Sequence, residues 1–366
     1  MRRRTVNALV NEDISTLVKE KEMKMNRYGD VEDQLIKNQC TVLRTRFDMD
    51  ADGNAVNLEQ EVIPLDLSGT ADADHLYMRA SGRPVYHPDG EKHVFLEPFF
   101  PEERLIVLGG GHVGHVLVEL AARCGFNVVV VDDRADFANE ERFPWAYQIV
   151  CDDFVHAIRD LKIRGQDFVC IMTRGHAHDA DCLYEVCLGT EPAFVGMMGS
   201  RKKISFVKEK LMEKGIPAER LDRVSSPIGL DLGAVTPEEI TISVLAEIIQ
   251  AKRKGRGDRA VGNQTDLDIG VIRLIAEEPL TPKAVATIMH TEGSVPRGAG
   301  AKMVVYEDGK IAGSIGGGAK EAMIIAEARK IIGTGRCVVR HIGVAGTPGE
   351  TGSVCGGILD VLVQDV

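Results

Sequence analysis

The sequence predicts an α/β fold: a parallel sheet covered by helices on both faces, a smaller α/β domain at the C-terminus, and a mixed region at the N-terminus. Three observations predict it. Between residues 104 and 255, short apolar runs alternate with segments whose apolar residues recur at helical spacing, the pattern of parallel strands joined by crossover helices. Within that region Leu105-Ile106-Val107-Leu108 leads into Gly109-Gly110-Gly111-His112-Val113-Gly114, then a helical pattern, then Val128-Val129-Val130-Val131 and Asp132-Asp133. Strand, glycine turn, helix, strand and acid in that order make the Rossmann-like dinucleotide fingerprint in its expected setting. Finally, the charged, glycine-rich stretch from Lys252 to Arg259 reads as a linker. It separates residues 101–256 from a third unit at 263–366 and leaves 1–100 as the mixed region.

Residues 1–38 form a polar helical pattern with apolar positions at Val6, Leu9, Val10, Ile14, Leu17 and Val18. Residues 40–97 alternate extended runs with Gly, Pro and Asp turns. Asp48, Asp50, Asp52 and Asn54 suggest a calcium loop, with Gly53 sixth and Glu59 twelfth. No helices clearly flank them, and a solvated hairpin turn is the better reading. Phe95 to Pro101 connects to the parallel-sheet region. There Gly109 permits a tight turn, Gly111 the approach of backbone to a phosphate, and Gly114 close packing of helix on strand. The helix that opens here aims unpaired N–H groups and its positive dipole end at an anion.

The alternation continues with Ala146–Cys151 as strand, Phe154–Leu161 as helix, Asp167–Thr173 as strand, Asp179–Cys187 as helix and Ala193–Met198 as strand. Asp179 is read as the N-cap of its helix. Ligands in such folds lie at the carboxyl ends of the strands. The polar stretches Asp132-Asp133-Arg134, Thr173 to Asp179 and Gly199-Ser200-Arg201-Lys202-Lys203 all fall on that edge. The last helix of the region begins with Thr236 as cap, Pro237 in the first turn and Glu239 completing a capping box. Its body from Ile240 to Ala251 is apolar enough to be buried.

Forty-four basic against 55 acidic residues leave a net charge of −11, which argues against broad nucleic-acid or membrane-surface binding. The eight cysteines show no CxxC pair and no zinc spacing, and Cys124, Cys151 and Cys170 read as buried free thiols. No apolar stretch approaches the ~18 residues of a membrane span. Met1-Arg2-Arg3-Arg4 lacks the apolar segment of a signal peptide. A reduced, cytoplasmic location is expected.

Several residue groups can carry chemistry. Gly313-Ser314-Ile315-Gly316-Gly317-Gly318 leads into a helix and makes a second candidate anion cradle, with a pair of hairpin turns as the other reading. Arg201 and Arg297 are either solvated or placed to neutralise a phosphate. Cys355, before Gly356-Gly357, is either a buried cysteine in a turn or a soft ligand suited to a metal or to sulfur transfer. His176 and His178 have poor metal spacing and no apparent third ligand. Neither a metal site nor a catalytic nucleophile–base pair is expected.

These stretches resemble the XdhC/CoxI family, accessory proteins for the maturation of molybdenum hydroxylases such as xanthine dehydrogenase. Residues 98–255 are similar to its nucleotide-fold domain through Leu105 to Gly114, Val131-Asp132-Asp133-Arg134, Thr173 to Asp179, Gly196-Met197-Met198-Gly199-Ser200-Arg201-Lys202-Lys203 and Ser226 to Gly233. Residues 279–363 are similar to its other domain through Gly293-Ser294-Val295-Pro296-Arg297, the glycine run with Glu321, and Cys355-Gly356-Gly357. The family's usual domain order is reversed here, and Thr173-Arg174-Gly175-His176 replaces a more usual Thr-His-Gly start. The resemblance implies a non-enzymatic chaperone that binds the molybdenum cofactor in its molybdopterin form, protects it, supports its sulfuration with a cysteine desulfurase, and inserts it into a molybdenum hydroxylase apoenzyme. Gly109, Gly111, His112, Gly114, Asp132, Arg134, Ser200, Arg201, Arg297, Gly316, Gly317, Gly318 and Cys355 are the residues it assigns to cofactor binding. The small C-terminal domain makes a homodimer an expectation. The alternative is an NAD(P)-dependent oxidoreductase using the same fingerprint, with Arg134 placed to accept a 2′-phosphate.

Overall fold

The computed structural model describes residues 27–65, 82–254, 263–278, 280–343 and 357–366. The apolar positions read between Val6 and Val18 lie outside them. The chain divides into two compact units, Glu102–Gly262 and Met1–Pro101 with Asn263–Val366. The three stretches separated by sequence thus fold as two bodies.

In the discontinuous unit, α1 (Tyr28–Ile36) precedes the hairpin of β1 (Thr41–Met49) and β2 (Asn54–Pro64), followed by the hairpin of β3 (Val85–Asp89) and β4 (Lys92–Phe99). The aspartate-rich run is the first hairpin's turn. Asp50 accepts from the N–H groups of Asp52 (2.9 Å) and Asn54 (2.8 Å), and Gly53 takes φ +77°. Among the described residues no cluster of His, Cys, Asp and Glu is arranged to hold a metal.

The continuous unit runs β5 (Arg104–Leu108), α2 (His112–Arg123), β6 (Asn127–Asp132), β7 (Gln148–Cys151), α3 (Phe154–Leu161), β8 (Phe168–Ile171), α4 (His176–Leu188), β9 (Phe194–Met197), α5 (Arg201–Glu213), α6 (Ala218–Asp222) and α7 (Pro237–Lys254). Its strands form a parallel sheet in the order β7-β6-β5-β8-β9. Alternation sorts the side chains: Ile106, Leu108, Val129, Val131, Val169 and Ile171 meet α3, α4 and α5. Leu105, Val107, Val128, Val130 and Cys170 meet α2 and α7 on the other face. With both faces covered the central strands carry consecutive apolar residues, Leu105 to Leu108, Val128 to Val131 and Phe168 to Ile171, which is why they read as unbroken runs. The capping box is present: Glu239 N–H donates to Thr236 Oγ1 (3.3 Å), and Thr236 N–H donates to Glu239 Oε2 (3.1 Å).

Three local expectations need correction. Helix α4 starts at His176 with Gly175 as N-cap, so Asp179 lies inside its first turn and reaches back instead of capping. Helix α7 buries one face only, because Ile242 stays 54% exposed. Cys124 and Cys151 are exposed, whereas Cys170 is buried, since the first two end a helix and the sheet's edge strand.

The chain then adds α8 (Ile269–Glu277), β10 (Lys283–Glu292), β11 (Lys302–Tyr306), β12 (Ile311–Gly313), α9 (Gly318–Ile331), β13 (Cys337–Ile342) and β14 (Ile358–Asp365). These strands continue the hairpins into a nine-stranded antiparallel sheet, β12-β11-β10-β14-β13-β2-β1-β4-β3. The join is short: Cys337 pairs with Ala55 and Val338 with Asn54. More of the cohesion comes from packing. Tyr28 and Val31 of α1 and Val271, Ile272 and Ile275 of α8 share a core with Leu43, Phe99, Val285 and Val304, while Ala284, Ala286 and Ile288 turn to α9. A buried ion pair also ties the two stretches. Lys302 Nζ donates to Glu97 Oε1 (2.6 Å) and to Thr287 Oγ1 (2.9 Å), with the lysine side chain 0% exposed.

Candidate functional site

Strand β5 has β6 on one side and β8 on the other, so the parallel sheet reverses its winding there and opens a crevice at the strands' carboxyl ends. The glycine turn fills that point. Gly109 takes φ +121°, and a Cβ there would lie 2.4 Å from Met172 O; one on Gly114 would lie 2.2 Å from Gly109 O. These glycines are required by packing, as is Gly110, whose Cβ would meet Phe137 O at 2.1 Å. Gly111 differs. Its backbone is ordinary extended chain (φ −66°, ψ −170°), and an added Cβ would meet nothing within 4 Å.

Gly111 is the N-cap of α2 and offers no side chain to its first amides, and α2 has no acid in its first turn. The neighbouring helices are each served by one of these devices. Asp153 accepts from Val155 and His156 N–H at α3, Asp179 sits in the first turn of α4, and Ser200 accepts from Lys203 N–H at α5. Of α2 to α5, α2 alone has neither a side-chain cap nor an acid in its first turn, and a Cβ at its N-cap would meet nothing within 4 Å. A helix end of this kind binds anions.

The charged groups around the turn are mostly committed. Asp132 is 1% exposed. Its Oδ2 accepts from Gly110 N–H (2.9 Å) and Arg134 Nη2 (3.0 Å), and its Oδ1 from Arg134 Nε (2.8 Å). The acid braces the loop and turns no free oxygen toward a ribose. Arg134 lies over Phe137, 3.6 Å from the ring centroid. Arg142, which no motif marked, donates to Gly110 O through Nε (3.2 Å) and Nη2 (3.1 Å) and so fixes a cation beside the turn. Arg174 forms a bidentate pair with Asp133, and that hydrogen-bonded guanidinium holds the Asp133 carboxyl below its ordinary value. Asp179, 1% exposed, accepts from Thr173 N–H (3.0 Å) and Oγ1 (2.7 Å) and pairs with Lys203. Ser200 and Arg201 follow β9, two strands from β5 and therefore about 10 Å along the sheet. His112 is the first residue of α2 and is exposed.

The second glycine turn is filled from within. Gly316, Gly317 and Gly318 take φ +124°, +74° and +69°, forming a nest of N–H groups. Glu321 occupies it: Oε2 accepts from Ser314 Oγ (2.6 Å), Ile315 N–H (3.0 Å) and Gly317 N–H (3.0 Å). Burial raises the Glu321 pKa, but the Ser314 hydroxyl and the nest amides outweigh it and leave the carboxyl below its ordinary value. This turn is an anion cradle that already holds the chain's own anion. Arg297 is likewise spoken for, through Asp266 Oδ2 (2.9 Å) and Asp266 O (3.1 Å). The three motifs of this unit nevertheless meet. A Cβ on Gly316 would lie 2.7 Å from Pro296 Cγ, and one on Gly357 would lie 2.3 Å from Val295 Cγ1 and 2.6 Å from Ser294 O. Lys320 donates to Gly357 O. Cys355 lies outside the described residues.

Comparison with known proteins agrees with this division. The XdhC Rossmann domain profile matches residues 105–248, and the XdhC and CoxI family profile matches 278–343. The chain belongs to the XdhC/CoxI family. Among curated relatives, the Escherichia coli (strain K12) protein YqeB, described as uncharacterized, is 36% identical over 170 residues, which cover 46% of this chain and 31% of the relative. A Bacillus subtilis (strain 168) protein described as a probable xanthine dehydrogenase subunit is 30% identical over 168 residues, covering 46% of this chain and 48% of the relative. The chain therefore spans less than half the length of these relatives. A solved Bacillus halodurans structure described as a xanthine dehydrogenase is 25% identical, covers 62% of this chain and 63% of that one, and has a TM-score of 0.46.

In this XdhC/CoxI chain most of the assigned residues fall into two groups, one in each unit, while Ser200 and Arg201 lie apart at the end of β9. Gly109, Gly111, His112, Gly114, Asp132 and Arg134 gather at the open turn, while Arg297 and Gly316 to Gly318 gather at the filled one. Arg142, Asp266 and Lys320 were missed by sequence reasoning. Arg142 and Lys320 donate to backbone carbonyls of other segments and Asp266 accepts from Arg297, and no spacing rule identifies such partners.

Proposed function

We propose that this XdhC/CoxI chain is a xanthine dehydrogenase-related accessory protein that carries the molybdenum cofactor, in its molybdopterin form, as cargo. It shields the cofactor, supports exchange of an oxo ligand for sulfur together with a cysteine desulfurase, and inserts the product into a molybdenum hydroxylase apoenzyme. One observation carries the reading: of α2 to α5, α2 alone has neither a side-chain cap nor an acid in its first turn, and its N-cap Gly111 has open space where a Cβ would be. A phosphate of the cofactor suits that place, because backbone N–H groups and the helix dipole both favour negative charge. Arg142, anchored on Gly110 O, adds a fixed cation alongside. In this reading Cys355 is the soft ligand offered to molybdenum.

The nicotinamide alternative draws less support. It needs an acid free to accept from ribose hydroxyls, and both Asp132 oxygens are engaged with Gly110 and Arg134. No helix among the described residues is long and apolar enough to cross a membrane.

The purified chain is incubated separately with isolated molybdenum cofactor, NAD(H) and NADP(H), then gel-filtered, and bound molybdenum and nucleotide are measured. Retention of molybdenum without nicotinamide is expected. Tight nicotinamide binding with no molybdenum retained overturns the proposal. In the same assay Cys355→Ala is expected to lower transfer of sulfurated cofactor to a hydroxylase apoenzyme; unchanged transfer makes the thiol structural.

A further inference from the structure

We propose that the cleft between α4 and α5 is a second ligand site, one that takes a small planar anion, an aromatic ring bearing a carboxylate, sulfonate or phosphate. The cleft measures about 560 Å³, within the range of small-molecule sites. Its room comes from α4, which contributes only Ala177 and Ala180. Its chemistry comes from α5, where Lys202, Phe206 and Lys210 recur at four-residue spacing and so share one helical face. Ser200, whose hydroxyl caps α5, also lines the cleft.

Two features of this stripe point to a ligand. Phe206 is 57% exposed, leaving an aromatic face free to stack, and Lys210 Nζ lies 4.4 Å from its centroid. Lys203 in the same cleft is paired with Asp179, but among the described residues Lys202 and Lys210 have no carboxylate within salt-bridge distance. In a chain of net charge −11, two unpaired ammonium groups flanking an exposed ring form a local inversion of the surface field. A ring stacked on Phe206 places a negative substituent between them, combining stacking with charge pairing. The cleft belongs to the sheet face covered by α3, α4 and α5, whereas the open glycine turn begins α2 on the opposite face. The two sites are therefore separate, and this proposal does not rest on the cofactor reading.

The test titrates the full chain with the fluorescent anion 8-anilinonaphthalene-1-sulfonate and with the neutral dye N-phenyl-1-naphthylamine, checking each variant's fold by circular dichroism. One saturable site for the anion is expected, at least about tenfold tighter than for the neutral dye and weakened by salt. Lys202→Glu with Lys210→Glu is expected to weaken it by at least about tenfold, and Ala180→Leu, which fills the cleft with a good helix former, to abolish it. Gly111→Asp is expected to leave it unchanged. Equal binding of both dyes, or anion binding insensitive to the α5 charges and to Ala180→Leu, overturns the proposal. Loss of binding in Gly111→Asp does so as well, by moving the dye to the glycine turn. Displacement by an acidic peptide but by no aromatic carboxylate or phosphate reassigns the cleft to protein docking and equally overturns it.

Discussion

Gly111→Asp separates stability from binding in a single residue. The position has extended backbone and empty space around its missing Cβ, so an aspartate enters without strain. It then sits where N-caps favour it, with its carboxylate accepting from the uncapped amides of α2. The gain over glycine is a few tenths of a kcal/mol from the cap and about 0.3–1 kcal/mol from the helix dipole. For a unit of this size that raises the melting temperature by roughly 1–4 °C. In the proposed reading the same carboxylate stands in the place of the cofactor's phosphate. Two such charges about 4 Å apart repel by about 4 kcal/mol near a protein surface, a loss of about three orders of magnitude in affinity. Differential scanning fluorimetry reads the first effect, and molybdenum retained after gel filtration reads the second. A more stable variant that still holds cofactor as tightly as wild type refutes phosphate binding at α2. A variant several degrees less stable refutes the claim that the turn is open.

Gly109→Ala, two residues away, is expected to do the opposite and destabilise by more than about 1–3 kcal/mol, because its φ is +121° and Met172 O blocks the Cβ; a thermal midpoint no lower than wild type counts against the packing role. Lys302→Met strands the Glu97 carboxylate, 5% exposed, and is expected to cost about 3–5 kcal/mol in urea unfolding, most of it recovered by adding Glu97→Leu. Glu321→Gln removes a carboxylate held below its ordinary pKa. Stability from that shift is present above the unfolded carboxyl value of about 4.3 and is lost as pH falls through the folded value. The wild-type and variant unfolding free energies should therefore differ by about 1–3 kcal/mol near neutrality and converge as the pH falls below about 4.

Burial accounts for what could be read from the residues alone. Val128 to Val131 had to be a central strand, since four consecutive apolar side chains are stable only when both faces of a sheet are covered, and α2 and α7 on one face with α3 to α5 on the other cover them. The Thr236 box was legible because its partners lie three residues apart. The union of the first and last stretches was not. Cys337 pairs with Ala55 and Lys302 with Glu97, and pairing between segments so far apart in the chain leaves no local periodicity. Asp132 illustrates the same limit on a smaller scale. Its position at the end of β6 was plain, but its partners come from Gly110 and Arg134, which convert an expected ligand group into a brace.

The two glycine turns show how near the missing information lay. Both have glycines before a helix, and both read as anion cradles, yet one is open and the other filled. What separates them is the first turn of the helix that follows. Helix α9 carries Glu321 there, and its side chain folds back onto the N–H groups of Ile315 and Gly317. Helix α2 carries no acid in its first turn. A carboxylate tethered one turn away meets the nest at an effective concentration no free ligand matches, so an external anion at Gly316–Gly318 must displace it, whereas one at Gly111 has no such competitor. The acid content of the first helical turn, read together with the glycines, thus supports the proposed phosphate site at Gly111 and gives Gly316–Gly318 an internal bracing role.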